Sequence, residues 1–251
     1  MRYAILSDIH ANLEALTAVL EALKAERIDR YLCLGDSVGY GADPAACLGR
    51  LQELGAVMIA GNHEWACLGK LDVGWFNDAA RAAITWTRDQ LGFVELNALR
   101  RLPLTATEGP FTLAHGTLHQ PSRFEYLVEL GQVIDTLRAC RTLMCLVGHT
   151  HVPVVVEYDR TKQKVARMLT EPRKLSDVQV HEDAQRWRYL VNPGSVGQPR
   201  DGRPEASYAI IDADGWRLAI RRTAYDVATA ARKIRDAGLP ALLADRLLVG
   251  R

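Results

Sequence analysis

Short apolar runs alternate with amphipathic stretches through the first half of the chain. Residues 3–6 (YAIL) are apolar and stop at Ser7-Asp8. Residues 12–26 then carry Leu13, Leu16, Leu20 and Leu23, the three-and-four spacing of a helix with one buried face. A second strand is predicted over 31–34, ending at Gly35-Asp36, and a third over 57–60, ending at Gly61-Asn62. Between them, 44–54 reads as a helix with Pro44 in its first turn and Asp43 as N-cap. Strands alternating with helices point to α/β layering with partly parallel pairing.

No strand pattern occurs over 64–101. Residues 77–91 have the helical period, with Ala82, Ile84, Trp86 and Leu91, so 64–105 is expected to be a helical cap insert. Strands resume at 111–114 and 143–147. Further short ones follow at 152–158, 189–191, 208–211 and 216–221, with turn signals such as Asp214-Gly215, the pattern of antiparallel meanders. An amphipathic stretch over 227–235 stops at Gly238-Leu239-Pro240, so 224–251 is expected to be a C-terminal helical segment. With no internal repeat and no Pro/Ser linker, 1–251 reads as one domain.

Composition narrows the class without identifying it. The 251 residues are 48% hydrophobic and 24% charged, with a formal net charge of +1, the profile of an ordinary globular protein. Balanced charge disfavours a partner such as long nucleic acid, whose binding needs a basic excess. No apolar run approaches the roughly 18 residues of a membrane span, and the start MRYAILSDIH lacks the pattern of a signal peptide. The five cysteines have no CxxC spacing and read as reduced, buried thiols, which places the protein in the cytoplasm.

The polar residues at the strand ends change the picture. Asp8-Ile9-His10, Gly35-Asp36, Gly61-Asn62-His63-Glu64, His115-Gly116 and Gly148-His149-Thr150-His151 each follow an apolar run directly, and they hold five of the seven histidines. In open α/β sheets the carboxyl ends of strands line one rim, where sites form. Each motif alone has an ordinary reading as a cap or turn. In Gly-His-x-His, however, alternate residues of an extended segment face the same side. Carboxylate, imidazole and amide oxygen without thiolate suit hard or borderline divalent metals. Asp8, His10, Asp36, Asn62, His115, His149 and His151 are too many ligands for one tetrahedral site and suit two ions sharing a carboxylate.

This ordered set, D-x-H, G-D, G-N-H-E, a lone H and G-H-x-H, resembles the calcineurin-like metallophosphoesterase superfamily. GDSVGYG (35–41) and NPGSVGQPR (192–200) are further similar to the bacterial and archaeal group of small phosphoesterases related to diadenosine tetraphosphatases. The resemblance implies a four-layer α-β-β-α sandwich of two mixed β-sheets with the metals at one edge. It also implies one metal on Asp8, His10, Asp36 and His151, and a second on Asp36, Asn62, His115 and His149. His63 is then not a ligand but a catalytic residue that stabilises the transition state or protonates the leaving alkoxide. One departure is Ala11, where this group commonly has Gly; the expected effect is small.

The expected reaction is direct hydrolysis, water activated by the metal pair attacking phosphorus in line with the leaving group. No GxSxG or CxxxxxR-type loop offers a protein nucleophile. Mn is the expected metal, and Fe, Zn and Ni also suit these ligands. The substrate is expected to be a small phosphate ester, a nucleotide-type phosphodiester first, with phosphomonoesterase or protein serine/threonine phosphatase as the alternative. A monoester dianion favours a nearby arginine, for which Arg123, Arg200 and Arg203 are candidates. Asn12 and Tyr40 flank the ligand motifs and are candidate substrate contacts. His119 lies close to His115 without being part of the motif set. Trp65, Trp75 and Trp86 fall in the cap, where core packing is expected ahead of stacking on a base. A non-enzymatic scaffold predicts eroded ligand motifs, which are intact, and a DNA nuclease sits poorly with the charge balance.

Overall fold

A computed structural model describes residues 1–251, apart from the side chain of Trp75. The first half runs β1 (Arg2–Leu6), α1 (Leu13–Leu23), β2 (Arg30–Cys33), α2 (Pro44–Glu53), β3 (Val57–Met58) and then three helices, α3 (Asn62–Cys67), α4 (Asp78–Gln90) and α5 (Phe93–Arg101). Next come β4 (Thr105–Glu108), β5 (Phe111–Ala114), α6 (Leu130–Ala139), β6 (Met144–Leu146), β7 (Val154–Asp159) and β8 (Lys164–Leu169). The chain ends with α7 (Pro172–Leu175), β9 (Val178–Gln179), β10 (Trp187–Asn192), β11 (Ala206–Asp212), β12 (Arg217–Thr223), α8 (Val227–Asp236) and α9 (Ala241–Val249). No helix is long and apolar enough to cross a membrane.

The strands form two six-stranded mixed sheets, β3-β2-β1-β11-β12-β9 and β4-β5-β6-β10-β7-β8. β1, β2 and β3 pair in parallel on one side of the first sheet, as do β5, β6 and β10 at the centre of the second, while the remaining strands pair antiparallel. These parallel strands of both sheets end on the same edge of the molecule. That edge carries the motifs.

Period-two alternation explains the layering. Tyr3 and Ile5 of β1 face inward, joining Leu32, Phe111, Leu146, Tyr189 and Ile211 in the core between the sheets. Ala4 and Leu6 face outward against Leu16, Val19 and Leu23 of α1 and Leu51 of α2. On the far side, Val133 and Leu137 of α6 pack on Cys145, Val156 and Leu190. Helix, sheet, sheet, helix makes four layers, as the resemblance implied. Each fully buried Leu or Phe here contributes roughly 1.5–3 kcal/mol of transfer free energy.

α4 packs through Ala80 and Ala83 against α8, α9 and Tyr40, and through Ile84 against Val38, Leu48 and Leu99. The helices of 64–101 and those of the C-terminus therefore share one small core beside the loops that follow β1 and β2. All five cysteines are buried and free.

Several local readings differ. The third strand is shorter than 57–60, because the Ala60 amide donates to Pro103 O instead of continuing along β2. Asp43 occupies the N-cap position of α2 but caps nothing; its carboxylate pairs with Lys233 at 2.9 Å. α6, β4, β8 and β9 go beyond the sequence pattern, while α5 and α9 fall inside the two segments expected to be helical, without a helical period picked out for either.

Candidate metal centre

Loops at the carboxyl ends of β1, β2, β3, β5 and β6 carry Asp8 and His10, Asp36, Asn62 and His63, His115, and His149 and His151. All of these side chains are buried. They gather into overlapping groups in which one donor atom from each residue lies within 4.8 Å of the others: Asp8–His10–His151, Asp36–His115–His149, and His10–Asp36–His63. Asp36 Oδ2 is 3.2 Å from His115 Nε2 and 3.7 Å from His10 Nε2. Asp8 Oδ1 is 3.3 Å from His151 Nε2. Asn62 Oδ1 and His149 Nδ1 lie 3.1 and 3.2 Å from His115 Nε2.

The backbone sets which nitrogen points inward. His10 Nδ1 faces Val38 O at 3.2 Å, His115 Nδ1 faces Leu34 O at 2.7 Å and His151 Nδ1 faces Gln198 O at 2.6 Å. A carbonyl only accepts, so each Nδ1 carries a proton and each ring turns its Nε2 to the centre; burial keeps His10 and His151 neutral, so theirs are lone pairs. His10 Nε2 and His151 Nε2 consequently meet at 3.1 Å as two acceptors with no proton between them. Two lone pairs beside two carboxylates fit a divalent cation, and the hard oxygens mixed with imidazoles fit the same class of ion.

Charge follows from the same contacts. Burial opposes ionisation of Asp8 and Asp36, but His151 and His115 beside them hold both carboxyls below the usual range. Burial also resists a charge on His115, yet Asp36 and Asp8 outweigh it and lift its pKa to about 10. That position favours positive charge, whether from a proton or from a metal ion. Burial and the adjacent His115 drop His149 to about 3, and burial with His63 puts His10 well below the ordinary imidazole value.

His63 shares a donor group with His10 and Asp36 but is set within aromatic packing. Its amide donates to Asp36 Oδ1 at 2.9 Å, its Nε2 is 4.0 Å from Asp36 Oδ2, and its ring packs among His10, Tyr40 and Phe76. Burial, only partly offset by Asp36, drops its pKa to about 4, and its buried Nδ1 has no partner. Gly39, at φ +85°, is what lets the ring in: a Cβ there would lie 2.1 Å from His63 Nδ1.

Two supporting groups escaped the sequence reading. Glu64, quoted only as part of a motif, accepts from the amides of Asp36 (2.8 Å), Ser37 (2.7 Å) and Gly61 (2.7 Å) and from the Ser37 hydroxyl (2.8 Å). It ties the loop after β2 to the start of α3. The 192–200 segment braces the other side: Ser195 Oγ and the Gly197 amide donate to Asp8 O at 2.7 and 3.0 Å, and Gln198 O orients His151. With the Val38 amide at 3.3 Å, five hydrogen bonds converge on this buried carboxylate, and four of them come from residues 26–28 positions away in sequence.

The candidate substrate residues divide. Asn12 is buried; it caps α1 by accepting from the Ala15 amide (3.1 Å) and donates to Gly197 O (2.8 Å) and Tyr225 Oη (3.2 Å). Tyr40 and Arg123 line a cleft of about 590 Å³ that reaches Asn62 and His149 and is walled by Phe76, Phe124 and Tyr126. Arg200 lies behind Tyr40, its guanidinium 6.0 Å from the ring centre and its buried Nε without a partner. Burial lowers its pKa, but the Tyr40 and Tyr126 hydroxyls more than offset that. Arg203 pairs with Glu205 at 3.3 Å and lines a separate hollow beside Pro172 and Arg221. His119 is exposed in the loop after His115. Trp65 packs edge-on against Phe124 and Trp86 joins the core shared by α4, α8 and α9; the Trp75 side chain lies outside the described residues. Tyr126, which no motif marked, stacks on His149 with ring centres 3.9 Å apart.

Carboxylates and imidazoles gathered at the strand ends of a double-sheet sandwich define a metal-dependent hydrolase of phosphoric esters. Residues 1–215 match the calcineurin-like phosphoesterase superfamily domain, and the chain belongs to that superfamily. It is 39% identical to a metallophosphoesterase from Sphaerobacter thermophilus, whose crystal structure aligns over 100% of this chain and 99% of that one with a TM-score of 0.85. An uncharacterized protein of Methanocaldococcus jannaschii is 37% identical over 99% of this chain and 98% of its own. A hypothetical protein from Pyrococcus horikoshii shares the fold at 21% identity and a TM-score of 0.76, covering 100% of this chain and 98% of that one.

Proposed function

We propose that the protein is a dinuclear phosphodiesterase acting on small nucleotide-type esters. One ion is assigned to Asp8, His10, Asp36 and His151 and the other to Asp36, Asn62, His115 and His149. The observation that carries this reading is the position of Asp36, which contributes to two of the donor groups, one with His10 and His63 and the other with His115 and His149, its Oδ2 lying 3.7 Å from His10 Nε2 and 3.2 Å from His115 Nε2. Divalent ions bound there supply charge that offsets the phosphoryl oxygens and lowers the pKa of water toward about 7. Mn is the proposed metal and the cytoplasm the proposed compartment.

The chain's own residues do the remaining work. Asp36 Oδ1 fixes the backbone of His63, so the ring assigned to stabilise the transition state or protonate the leaving oxygen is held by the carboxylate that the two ligand sets share. The buried walls around His63 exclude bulk water from that transfer. Tyr40, Phe76, Phe124 and Tyr126 give the cleft apolar faces of a size that suits a nucleobase. The catalytic unit is the whole chain, 1–251, as one domain.

A phosphomonoesterase or protein phosphatase is favoured by one feature, the Arg200 guanidinium, whose unpartnered Nε can meet the extra charge of a monoester dianion. Turnover of bis(p-nitrophenyl) phosphate, p-nitrophenyl phosphate and a phosphoserine peptide by Mn-loaded protein separates the readings. Faster diester cleavage, with about two metal equivalents by elemental analysis, is expected. Preference for the monoester or the peptide would transfer the assignment to the second reading, and a single tightly held ion would refute the dinuclear one.

A further inference from the structure

Exposed apolar side chains are concentrated beside the metal ligands. Of the eleven large hydrophobic residues exposed among those described, five, Tyr126, Val128, Leu130, Val152 and Met168, line a single groove of about 390 Å³. That volume lies within the roughly 300–1,000 Å³ usual for ligand pockets. The groove runs between the 126–130 segment and the outer strands of the second sheet.

Its lining cannot bind a phosphate. Glu129 is the one charged residue there, and it carries the wrong sign. The two polar lining residues are already engaged: Asn192 Nδ2 donates to Thr150 Oγ1 at 3.0 Å and to Gly148 O at 2.8 Å. What remains is aliphatic.

The groove nevertheless borders the metal site. Thr150 and Val152, which line it, are chain neighbours of His149 and His151. Tyr126 lines both the groove and the aromatic cleft, and it stands between them stacked on His149 with ring planes 22° apart. A ligand whose phosphorus lies at the metal ligands can therefore pass an organic substituent across the Tyr126 edge into an apolar channel. A solvent-exposed apolar patch that borders a polar site is the usual mark of ligand or partner binding.

We propose that this groove is the second half of the substrate site, taking the apolar group of a phosphate ester whose phosphoryl group sits at the Asp36 centre. The proposal rests on the phosphoesterase reading of that centre and adds the substrate class: an ester carrying a short alkyl or aryl group. The groove, not the aromatic cleft, then selects for it.

Calorimetric titration of Mn-loaded protein with methylphosphonate and hexylphosphonate tests this by binding alone. The hexyl compound is expected to bind on the order of thirtyfold more tightly, a fraction of what five fully buried methylenes would give. Met168→Glu and Val128→Asp, both at exposed positions, should bring the two affinities together while leaving that of methylphosphonate unchanged. Equal affinities in the unmutated protein, or no binding of either compound, overturn the proposal. So does sedimentation showing a dimer that both substitutions dissociate, because the groove would then be an interface between copies. Failure to cleave bis(p-nitrophenyl) phosphate bears on the phosphodiesterase assignment and leaves the affinity difference to be read independently.

Discussion

Asp8, His10, Ala11, Asp36, Tyr40, His149 and His151 all have φ between +50° and +67°, a region that costs an L-residue roughly 1–2 kcal/mol. They account for seven of the eleven such non-glycine residues described. Backbone bonds hold them there: the Asp8, His10 and Ala11 amides donate to Gly35, Asp36 and Ser37 carbonyls at 3.1, 2.9 and 3.0 Å. Ala11 thus occupies a left-handed position, which is a physical reason for the glycine common there in the related group. At this scale three substitutions are informative. His63→Ala should keep the full metal content, yet lose about 10²–10⁴-fold in turnover if the ring transfers a proton; unchanged turnover would remove it from the mechanism. Gly39→Ala should displace the same ring, so metal content survives while activity falls and stability drops by about 1–3 kcal/mol in urea unfolding. Glu64→Gln puts an NH₂ among five donors and should cost about 2–3 kcal/mol by the same measurement. The ligand residues were legible because each directly follows an apolar run. Glu64 and Tyr126 were not, because their partners are set by tertiary contact.

Elements were legible in proportion to how one-sided their burial is. α1 buries Leu16, Val19, Leu20 and Leu23 along one stripe, and its pattern shows it. α5 hides its period because Phe93 and Val94 are 77% and 72% exposed while Leu99 alone is buried. α8 stops at Asp236, just before the Gly238-Leu239-Pro240 signal as its pattern predicts, and Pro240 then serves as the N-cap of α9, whose own start the pattern does not mark. β8 is an edge strand with three exposed residues in succession, so the alternation that reveals a half-buried strand is missing. Asn12 is the junction of element and site. Its side chain caps α1 and ties that helix to Gly197, so Asn12→Ala should lower stability by about 1–2 kcal/mol in thermal melts. A rise in KM at unchanged stability would instead make it a substrate contact.

Across the whole molecule, two of the three donor groups mix the two sheets. Asp8 and His10 follow a strand of the first sheet and His151 one of the second; Asp36 belongs to the first and His115 and His149 to the second. Metal held there clamps one edge of the sandwich. Chelation should therefore lower the melting temperature and speed amide exchange in the loops after β1, β2 and β6, with Mn²⁺ restoring both. Exchange accelerated uniformly over all strands would speak against a local clamp. The four layers and the strand-end motifs were legible in the pattern of the chain. The contact between 192–200 and Asp8 was not, since nothing local records a hydrogen bond spanning 187 residues.

The Gln198 carbonyl that orients His151 also fixes when the centre can exist. Asp8 and His10 leave the ribosome first, but His151, which completes their donor group, arrives only after β6, and the group that sets its tautomer follows later still. A nascent chain halted just before residue 198 holds all seven candidate ligands without the carbonyl that aims His151. Metal capture is then one of the last events in the maturation of the chain, and ions present during synthesis meet a finished pocket instead of guiding its assembly.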